Sequence, residues 1–502
     1  MSRSAKRHGI FSGALIVVGM RWTDRLVGLL STLILAHLLV PADFGVVAMA
    51  SIVVGLVDVL LDLGVNVALI HNRDATKEDF DTAWTIRILQ ATLAGSLIFL
   101  AAPFAADYYH DPRVTDVMRV MALSVFVGGL ENIGVVTFQK NMQFGKDFQF
   151  FFFKRLTGFI VTLAIAFWLR SYWAMVLGSL AARMTGVVLS YLMHSLRPRL
   201  TLSRFRELWS FSQWVLVRNI GGYADTRLDK FIVGGRADAG TMGGYTLADE
   251  VASIPTSELL APLGRVLFPA FVDARHDLAR LSQTFLLALG VQTLIVVPAG
   301  TGIALVAENL VMTLLGAKWS IAIPFIKIIA LLQIVLVLSH AASYLLLSLG
   351  KVKVLSLFTW AQVIVFGTLA MSVFRSADAS QIAWLRFSIT ACGLLVFIAL
   401  VVRTVPMLRA RDFLSTIIRP ALASLAMTAA LLALDTSALA HPLALSVQVA
   451  TGAGVYAVIV VALWRLSGCP AGAETYLLEK AGRLEQLKRW LYVRPHDPEI
   501  RP

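Results

Sequence analysis

Three ionisable side chains lie near the middle of the first long apolar run of this 502-residue chain. Arg21, Asp24 and Arg25 are spaced at i, i+3 and i+4, so they share one face of a helix. An ionised side chain at the centre of a membrane costs about 2.5–3.5 kcal/mol on insertion scales, so such a group needs a partner or a ligand. A salt bridge between Asp24 and one arginine is the structural explanation. We favour a substrate-binding cluster, because two arginines and one aspartate leave a net positive charge.

The best chemical match for this cluster is a phosphate or a diphosphate. Guanidinium groups bind phosphate oxygens in pairs, and they keep their charge when water is removed. Arg21 and Arg25 are therefore the first candidates for binding an anionic substrate with a bulky polar part.

A second group of charges lies on the seventh apolar run, the counterpart of the first run in the second half of the chain. Arg218, Asp225 and Arg227 are candidates for the same substrate site. Asp229 and Lys230 lie near the outer end of this run, where a position at the membrane interface also explains them.

Acidic residues are the candidates for coupling to a proton or a sodium ion. Asp58 and Asp62 are spaced at i and i+4 on the second run, and Glu131 lies in the fourth run. A hydrogen-bonded packing role explains Asp58 and Asp62 equally well. Arg87 and four other cations occur singly in the runs, and these four can extend to the membrane surface along their own side chains: Arg183, Lys327, Arg386 and Arg419.

Catalytic signatures are missing from the sequence. The Gly350-Lys351 pair has Leu345 where a nucleotide-binding loop needs its first glycine. No His-Glu-x-x-His, zinc-ligand or Gly-x-Ser-x-Gly pattern occurs. We therefore expect no metal, no cofactor and no enzymatic activity.

The composition places the chain in a membrane. Apolar residues make up 58% of it and charged residues only 15%, whereas an average soluble domain is about 45–50% apolar and about 25% charged. Two cysteines exclude a secreted, disulfide-rich protein. Fourteen apolar runs are long enough to span a bilayer, and they cover residues 10–38, 44–70, 83–106, 115–138, 150–169, 172–196, 208–234, 242–264, 281–307, 320–348, 353–374, 380–403, 414–435 and 444–465. The fold class predicted is an all-α polytopic membrane protein with about fourteen transmembrane helices.

The positions of Lys and Arg orient these spans. With a cytoplasmic N-terminus, 28 of the 44 Lys and Arg fall in inner segments, Lys154 and Arg155 among them, and 6 fall in outer segments. Cytoplasmic segments of membrane proteins are enriched in these residues, so both termini are expected inside. The basic residues are spread over many short segments without an aromatic-rich patch, which argues against nucleic-acid binding. The first run is too long and too charged for a cleaved signal peptide.

A weak internal repeat divides the chain. Residues 40–50 and residues 239–248 both place a turn of small residues and a glycine before a fresh apolar helix. Six spans separate the two copies, so the halves are expected to be parallel repeats related by an axis along the membrane normal. The predicted divisions are an N-lobe (1–200), a C-lobe (201–404), two further spans (405–466) and a cytoplasmic tail (467–502). Apolar residues at three- and four-residue spacing predict that the tail forms an interfacial helix, with a partly disordered tail as the alternative.

Three segments resemble Wzx-type polysaccharide transporters of the multidrug/oligosaccharidyl-lipid/polysaccharide flippase superfamily. They read AHLLVPADFG at 36–45, FQKNMQF at 138–144, and DKFIVG at 229–234 followed by GY at 244–245. Their order and spacing over fourteen spans carry the resemblance. His37 stands where many members of the family have arginine.

This resemblance implies two six-helix lobes around a central cationic cavity, working by alternating access. It implies a multi-pass protein of the bacterial inner membrane that moves a polyprenyl-diphosphate-linked oligosaccharide from the inner to the outer leaflet. Such units are used for exopolysaccharide, capsule or lipopolysaccharide biosynthesis, with a polysaccharide polymerase and export machinery as partners. By the same resemblance, the first-lobe arginines Arg21 and Arg25 bind the diphosphate.

Three other functions fit the sequence less well. A cation-coupled small-molecule exporter of the multidrug type, built on the same superfold, is the main alternative, but it favours a dominant acidic site. A membrane-bound polymerase or glycosyltransferase needs a sizeable catalytic loop, and the connections here are short. A scaffold protein does not explain charge within the spans.

Overall fold

A computed structural model describes residues 19, 22–23, 25–61, 64–72, 74–470 and 472–480. Regular structure in these residues is helical throughout, as the fold class predicted. The helices of the first half are α1 (Arg25–Leu38), α2 (Pro41–Leu61), α3 (Val65–His71), α4 (Lys77–Tyr109), α5 (Arg113–Gly129), α6 (Val136–Lys140), α7 (Phe144–Leu169), α8 (Trp173–Met193) and α9 (Phe205–Gly234). The later helices are α10 (Ala239–Ala252), α11 (Ala261–Ala274), α12 (Leu278–Leu314), α13 (Ile323–Ser348), α14 (Val352–Met371), α15 (Ala379–Thr404), α16 (Ala410–Ala433) and α17 (His441–Leu466).

Ten helices within the described residues are long and apolar enough to cross a membrane, or eleven if one bent pair is counted as a span. The chain is therefore a multi-pass membrane protein. The prediction of fourteen continuous spans differs from this at four places. The first run is described only from α1 onward, the seventh run (α9) is too rich in charge, and the fourth and eighth runs are broken.

The fourth run breaks at Asn132, between α5 and a 3-10 turn at Ile133–Val135 that leads into α6. The two helical parts meet at 67°. Asn132 is fully buried, its backbone N–H donates to Ser190 Oγ at 2.9 Å, and its side-chain Nδ2 donates to Leu196 O at 2.7 Å. Because α8 and the residues after it bind the polar groups that the break releases, the kink is stable within the membrane protein.

The eighth run is interrupted by a π-helical turn at Pro255–Leu260, between α10 and α11. Pro255 has no backbone N–H and cannot continue the helical hydrogen-bond ladder of α10. Ser253 O accepts two hydrogen bonds from Thr256, one from its Oγ1 at 2.7 Å and one from its backbone N–H at 3.1 Å. The predicted span 242–264 is thus three shorter helical segments.

Two structural units can be distinguished. The first comprises residues 1–248, 314–325 and 356–385, and the second comprises 249–313, 326–355 and 386–502. In the first unit, α7 and α8 pack through small residues: a Cβ on Gly158 would lie 2.9 Å from the Ala182 Cβ. Such residues let membrane helices approach closely. The division into lobes at residues 200, 404 and 466 stays a prediction.

The N-terminal ends of α2 and α10, which carry the two copies of the repeat, cross within the first unit. A Cβ on Gly45 would lie 1.7 Å from Ala239 O, and a Cβ on Gly243 would lie 1.9 Å from Pro41 O. The contact is reciprocal, since Pro41 and Ala239, like Gly45 and Gly243, are 198 residues apart. In each copy of the repeat, therefore, a glycine without a side chain lets the backbone of the other copy approach closely.

The second unit includes the chain that follows α17. Residues 473–480 are helical. Ala473 packs against Gly290 of α12, where a Cβ on the glycine would lie 2.8 Å from the Ala473 Cβ. Arg419 Nε of α16 lies 3.0 Å from Glu474 Oε1 in a largely buried ion pair. These contacts hold the first part of the predicted tail against α12 and α16. Its continuation from residue 481 lies outside the described residues.

Candidate functional site

The predicted site residues are only partly within the described chain. The backbone of Arg218 belongs to α9, but its side chain is not described. Three predicted residues lie outside the described part: Arg21, Asp24 and Asp62. Five are described, all in the first unit: Arg25, Asp58, Glu131, Asp225 and Arg227.

The helix that carries Arg25 is anchored at its C-terminal end. The last carbonyl groups of a helix have no partner within it. Here Lys318 Nζ donates to His37 O at 2.7 Å and to Leu39 O at 2.8 Å, and the buried Trp319 Nε1 donates to Ala36 O at 2.8 Å. A cation at this end is also favoured by the helix dipole. Lys318 and Trp319 therefore cap α1 and fix its position.

Lys318→Met should remove two of these hydrogen bonds and the charge at the end of α1. We expect a loss of about 1 kcal/mol in stability, the size of a typical net hydrogen-bond contribution, because Lys318 is exposed. The thermal unfolding midpoint of the purified protein measures it. The matched control is Lys353→Met at another exposed lysine, and equal midpoints for the two variants would rule out the capping role.

Arg25 has a second arginine next to it, contributed by α7. Gly28 lies one turn after Arg25 on the same face of α1, and Arg155 Nη2 lies 3.0 Å from the position that a Gly28 Cβ would take. The Arg155 guanidinium therefore reaches the face of α1 that carries Arg25. The charge pattern assigns Arg155 and Lys154 to an inner segment, so it does not predict the approach of Arg155 to α1. In the structure both residues lie well inside α7.

Helix α9 brings further charges to α2. The Tyr223 hydroxyl donates to Ile52 O at 2.6 Å, and the absence of a side chain at Gly55 leaves room for its ring. Asp58, one turn beyond Gly55, and Arg227, one turn beyond Tyr223, both interact electrostatically with this tyrosine. The pairing of α2 with α9 thus gathers two of the predicted site residues around one hydroxyl group.

The remaining acidic residues of α9 differ in their surroundings. Asp225 is half-buried in the helix that carries Arg227. Asp229 is buried, and its Oδ2 accepts a hydrogen bond from the Tyr245 hydroxyl at 2.8 Å. That bond ties α9 to α10, so it gives Asp229 a structural role.

Glu131 lies between two cations. Its Oε2 is 2.8 Å from Lys154 Nζ and its Oε1 is 3.4 Å from Arg87 Nη2. The carboxylate is 8% exposed, and each cation is 23% exposed. Gly186 of α8 makes room for the ion pair, since a Cβ there would lie 3.0 Å from both Glu131 Oε2 and Lys154 Nζ. A carboxylate held in this way is locked in place unless one of its partners moves.

A cavity of about 300 Å³ lies beside this ion pair, between α2, α4, α5 and α8. Arg87 lines it, and Arg87 Nη2 also donates to Gly128 O at 3.2 Å. Asp58, Gln90 and Arg183 contribute the other polar side chains. Arg87 and Arg183, which the sequence presents as isolated charges, are thus neighbours across one cavity.

The set formed by the described predicted site residues, the two cations bound to Glu131, the cavity residue Arg183 and the neighbouring Arg155 has six cations and three anions. The cations are Arg25, Arg87, Lys154, Arg155, Arg183 and Arg227, and the anions are Asp58, Glu131 and Asp225. The net charge of +3 attracts anions, and the low dielectric of a membrane protein strengthens the attraction. Phosphate and carboxylate groups are the ligands that such a set binds most strongly.

His194, which follows α8, adds no charge to this site at neutral pH. Burial, together with the nearby Lys146 and Arg197, lowers the pKa of His194. Its Nδ1 accepts a hydrogen bond from Leu196 N at 3.0 Å, which only the unprotonated nitrogen can do.

Comparison with known proteins agrees with these features. A family model described as "Polysaccharide biosynthesis protein" matches residues 34–324, more than half of the chain. The lipopolysaccharide biosynthesis protein WzxC of Escherichia coli (strain K12) is 25% identical over 332 residues, which cover 65% of this chain and 67% of WzxC. The succinoglycan biosynthesis transport protein ExoT of Rhizobium meliloti (strain 1021) is 25% identical over 354 residues, 70% of this chain and 71% of ExoT.

The fold is also that of a solved transporter. The lipid II flippase MurJ in its inward closed conformation superposes with a TM-score of 0.72 at 12% identity, covering 90% of this chain and 99% of MurJ. The resemblance to Wzx-type transporters is thereby confirmed. The chain belongs to the polysaccharide biosynthesis protein family, and its fold is that of the flippase MurJ.

Proposed function

We propose that this protein is a flippase and not an enzyme, and that it moves a polyprenyl-diphosphate-linked oligosaccharide from the inner to the outer leaflet of the bacterial inner membrane. Both termini are cytoplasmic in this proposal. The carrying observation is that Arg155 of α7 reaches the face of α1 that holds Arg25. A polysaccharide polymerase and export machinery are the predicted partners.

The chemistry of the diphosphate supports this assignment. A diphosphate carries more than one negative charge and many acceptor oxygens, and the first unit offers a net charge of +3 among its described site residues. Two guanidinium groups from different helices can bind it from two sides without losing their protons. Arg21, which lies outside the described residues, is proposed as the third arginine of this site.

The names of the relatives point the same way. WzxC is described as a lipopolysaccharide biosynthesis protein, ExoT as a succinoglycan biosynthesis transport protein, and MurJ as a lipid II flippase. Alternating access between two membrane faces is the mechanism we propose for this chain, with the diphosphate held by the arginines of the first unit while the protein changes conformation.

Leaflet exchange in proteoliposomes tests the function. The purified full-length protein is supplied with fluorescent polyprenyl-diphosphate oligosaccharides, under several imposed ion gradients. We expect Arg25→Ala and Arg155→Ala each to slow exchange about tenfold or more, since one charge-assisted hydrogen bond contributes about 1.5–3 kcal/mol and about 1.4 kcal/mol is a factor of ten. Arg375→Ala, at an exposed arginine between α14 and α15, is the control and should exchange normally.

Two results would contradict the proposal. Full exchange by both variants would remove the diphosphate from the Arg25 and Arg155 pair. No exchange of any glycan-lipid by folded wild-type protein would favour the cation-coupled small-molecule exporter instead.

A further inference from the structure

A cavity of about 850 Å³ lies in the second unit, between α12, α16 and the short helix at residues 473–480. Gln283 and Ser415, in the second turns of α12 and α16, line it, so it lies near the ends of these helices that the charge pattern predicts to be cytoplasmic. The predicted site residues are not among the described residues that line it. Its volume is in the upper part of the range of ligand pockets, roughly 300–1,000 Å³, so a ligand of substantial size fits in it.

One wall of the cavity is apolar and reaches the lipid-facing surface. Leu286, Leu287 and Leu294 line it from α12. Ile418 lines it from α16 and is 43% exposed, and Leu414, one turn earlier, is 62% exposed. Exposed apolar side chains on a membrane-spanning helix contact the hydrocarbon of the bilayer. The cavity is therefore accessible to the acyl chains of a neighbouring lipid.

The serine and threonine hydroxyl groups that line the cavity are acceptors for a ligand. A hydroxyl group has one hydrogen, and each of these already donates it to a backbone carbonyl. The bonds are Ser415 to Asp412 O at 3.0 Å, Thr416 to Asp412 O at 2.7 Å, Ser467 to Leu463 O at 2.7 Å and Thr475 to Pro470 O at 3.0 Å. Each oxygen keeps a lone pair, so these groups favour a ligand with several N–H donors over a ligand with none.

Charged side chains of both signs surround the cavity. Arg419 binds Glu474 through Nε at 3.0 Å and Nη2 at 3.4 Å, so the N–H groups of Nη1 have no partner in the described part of the chain. Glu479 lines the cavity, is exposed, and forms no ion pair with any described residue. Lys480 Nζ lies 5.2 Å from the centre of the ring of Tyr476, another lining residue. The charges of these two cations and two anions sum to zero.

This combination fits a zwitterionic lipid headgroup that has a primary ammonium group. Its phosphate accepts hydrogen bonds from Arg419, and its ammonium group donates to Glu479 and to the hydroxyl oxygens. Its acyl chains contact the leucine side chains of α12. An anionic lipid brings no cation for Glu479, and a choline headgroup has a positive charge but no N–H group to donate.

We propose that this cavity binds one phospholipid of the inner leaflet through a phosphoethanolamine headgroup. The bound lipid connects α12, α16 and the helix at residues 473–480, because all three segments line its site. It thereby holds the first part of the tail against the second unit. The inference does not rest on the proposed transport of a glycan-lipid, because the ligand is a resident membrane lipid.

Lipid titration of the purified full-length protein in detergent tests the site. The probes are dioleoyl phosphatidylethanolamine and dioleoyl phosphatidylcholine, which differ only in the methyl groups on the headgroup nitrogen. Native mass spectrometry counts the bound lipid, and the thermal midpoint is measured at each concentration. We expect wild type to bind phosphatidylethanolamine at least tenfold more tightly than phosphatidylcholine and to melt at a higher temperature with it, since a ligand of the folded state stabilises that state.

Three variants locate the binding. Glu479→Gln should weaken phosphatidylethanolamine binding about tenfold, the effect of one lost charge-assisted hydrogen bond, and leave phosphatidylcholine binding unchanged. Ile418→Trp places a larger side chain in the cavity and should weaken the binding of both lipids. Glu308→Gln, at another exposed glutamate of the second unit, is the matched control and should bind like wild type. All three positions are exposed, so without added lipid the variants should melt like wild type.

Four results would overturn the proposal. Equal affinity for the two lipids, or an unchanged preference in Glu479→Gln, would mean that the cavity does not recognise the headgroup. Tighter binding of dioleoyl phosphatidylglycerol than of phosphatidylethanolamine would make it a site for anionic lipids. Displacement of phosphatidylethanolamine by a polyprenyl diphosphate at equal concentration would assign the cavity to the transported lipid.

Discussion

Gly45→Ala should destabilise the protein strongly, by about 3 kcal/mol, at the upper end of the usual cost of overpacking. The new Cβ would lie 1.7 Å from Ala239 O, a backbone atom that cannot rotate away as a side chain can. Either α2 or α10 must move, and the reciprocal contact at Gly243 is lost with it. Gly243→Ala should have a similar effect, since its Cβ would lie 1.9 Å from Pro41 O. The thermal midpoint and the monodisperse yield in detergent measure both variants.

Gly222→Ala is the matched control for this crossing. Gly222 is exposed on α9 in the same unit, and no atom lies within 4 Å of the Cβ position. Alanine in a helix is favoured over glycine by about 0.5–1 kcal/mol, so this variant should be as stable as wild type or slightly more so. If Gly45→Ala melted at the same temperature as Gly222→Ala, the close approach of α2 and α10 would be wrong.

Glu131→Gln should be the second large effect. Removing one partner of a buried ion pair costs about 3–5 kcal/mol, because the other charge stays buried without compensation. We expect a smaller loss, about 2–3 kcal/mol, since Lys154 and Arg87 keep 23% of their side-chain exposure. The measurement is again the thermal midpoint, supported by the amount of folded protein recovered from membranes.

A double variant separates the lost ion pair from other causes. Glu131→Gln combined with Lys154→Met removes both charges of the 2.8 Å contact, so it should recover part of the stability. An unchanged midpoint in Glu131→Gln, together with loss of the ion dependence of transport, would give a different answer. It would assign Glu131 to ion coupling, the role predicted from the sequence, instead of to the stability of the first unit.

The apolar runs identified most of the helices, because a membrane span must be long and apolar over its whole length. The pattern of apolar residues did not locate the breaks at Asn132 and Pro255. Glu131 and Asn132 are two polar residues in a mostly apolar stretch, and whether the chain bends there depends on Ser190, which binds the Asn132 backbone from another helix. The turns of small residues revealed the repeat in the sequence. The reciprocal close contacts of Gly45 with Ala239 and of Gly243 with Pro41 were seen only in the structure.

Some residues of the candidate site could be identified from the sequence, whereas the surroundings of others are known only from the structure. Arg25 was singled out by position alone, since a charge in the middle of an apolar run needs a reason wherever the run folds. Arg155, Arg183 and Glu131 acquire their surroundings only from helix packing. Arg155 approaches Gly28 and Arg183 approaches Gly128 from another helix, and Lys154 of α7 approaches Glu131 in the break after α5.

Sequence alone therefore determined that this protein lies in a membrane, that it is helical, and which charges are costly enough to matter. These properties follow from the free energy of each residue in hydrocarbon, which is local. Tertiary structure decided which charges are neighbours and which are locked, because Glu131 neutralises Lys154 while Arg183 lines an open cavity. Electrostatic pairing depends on distances of a few ångströms between helices, and the spacing of residues along one helix does not contain them.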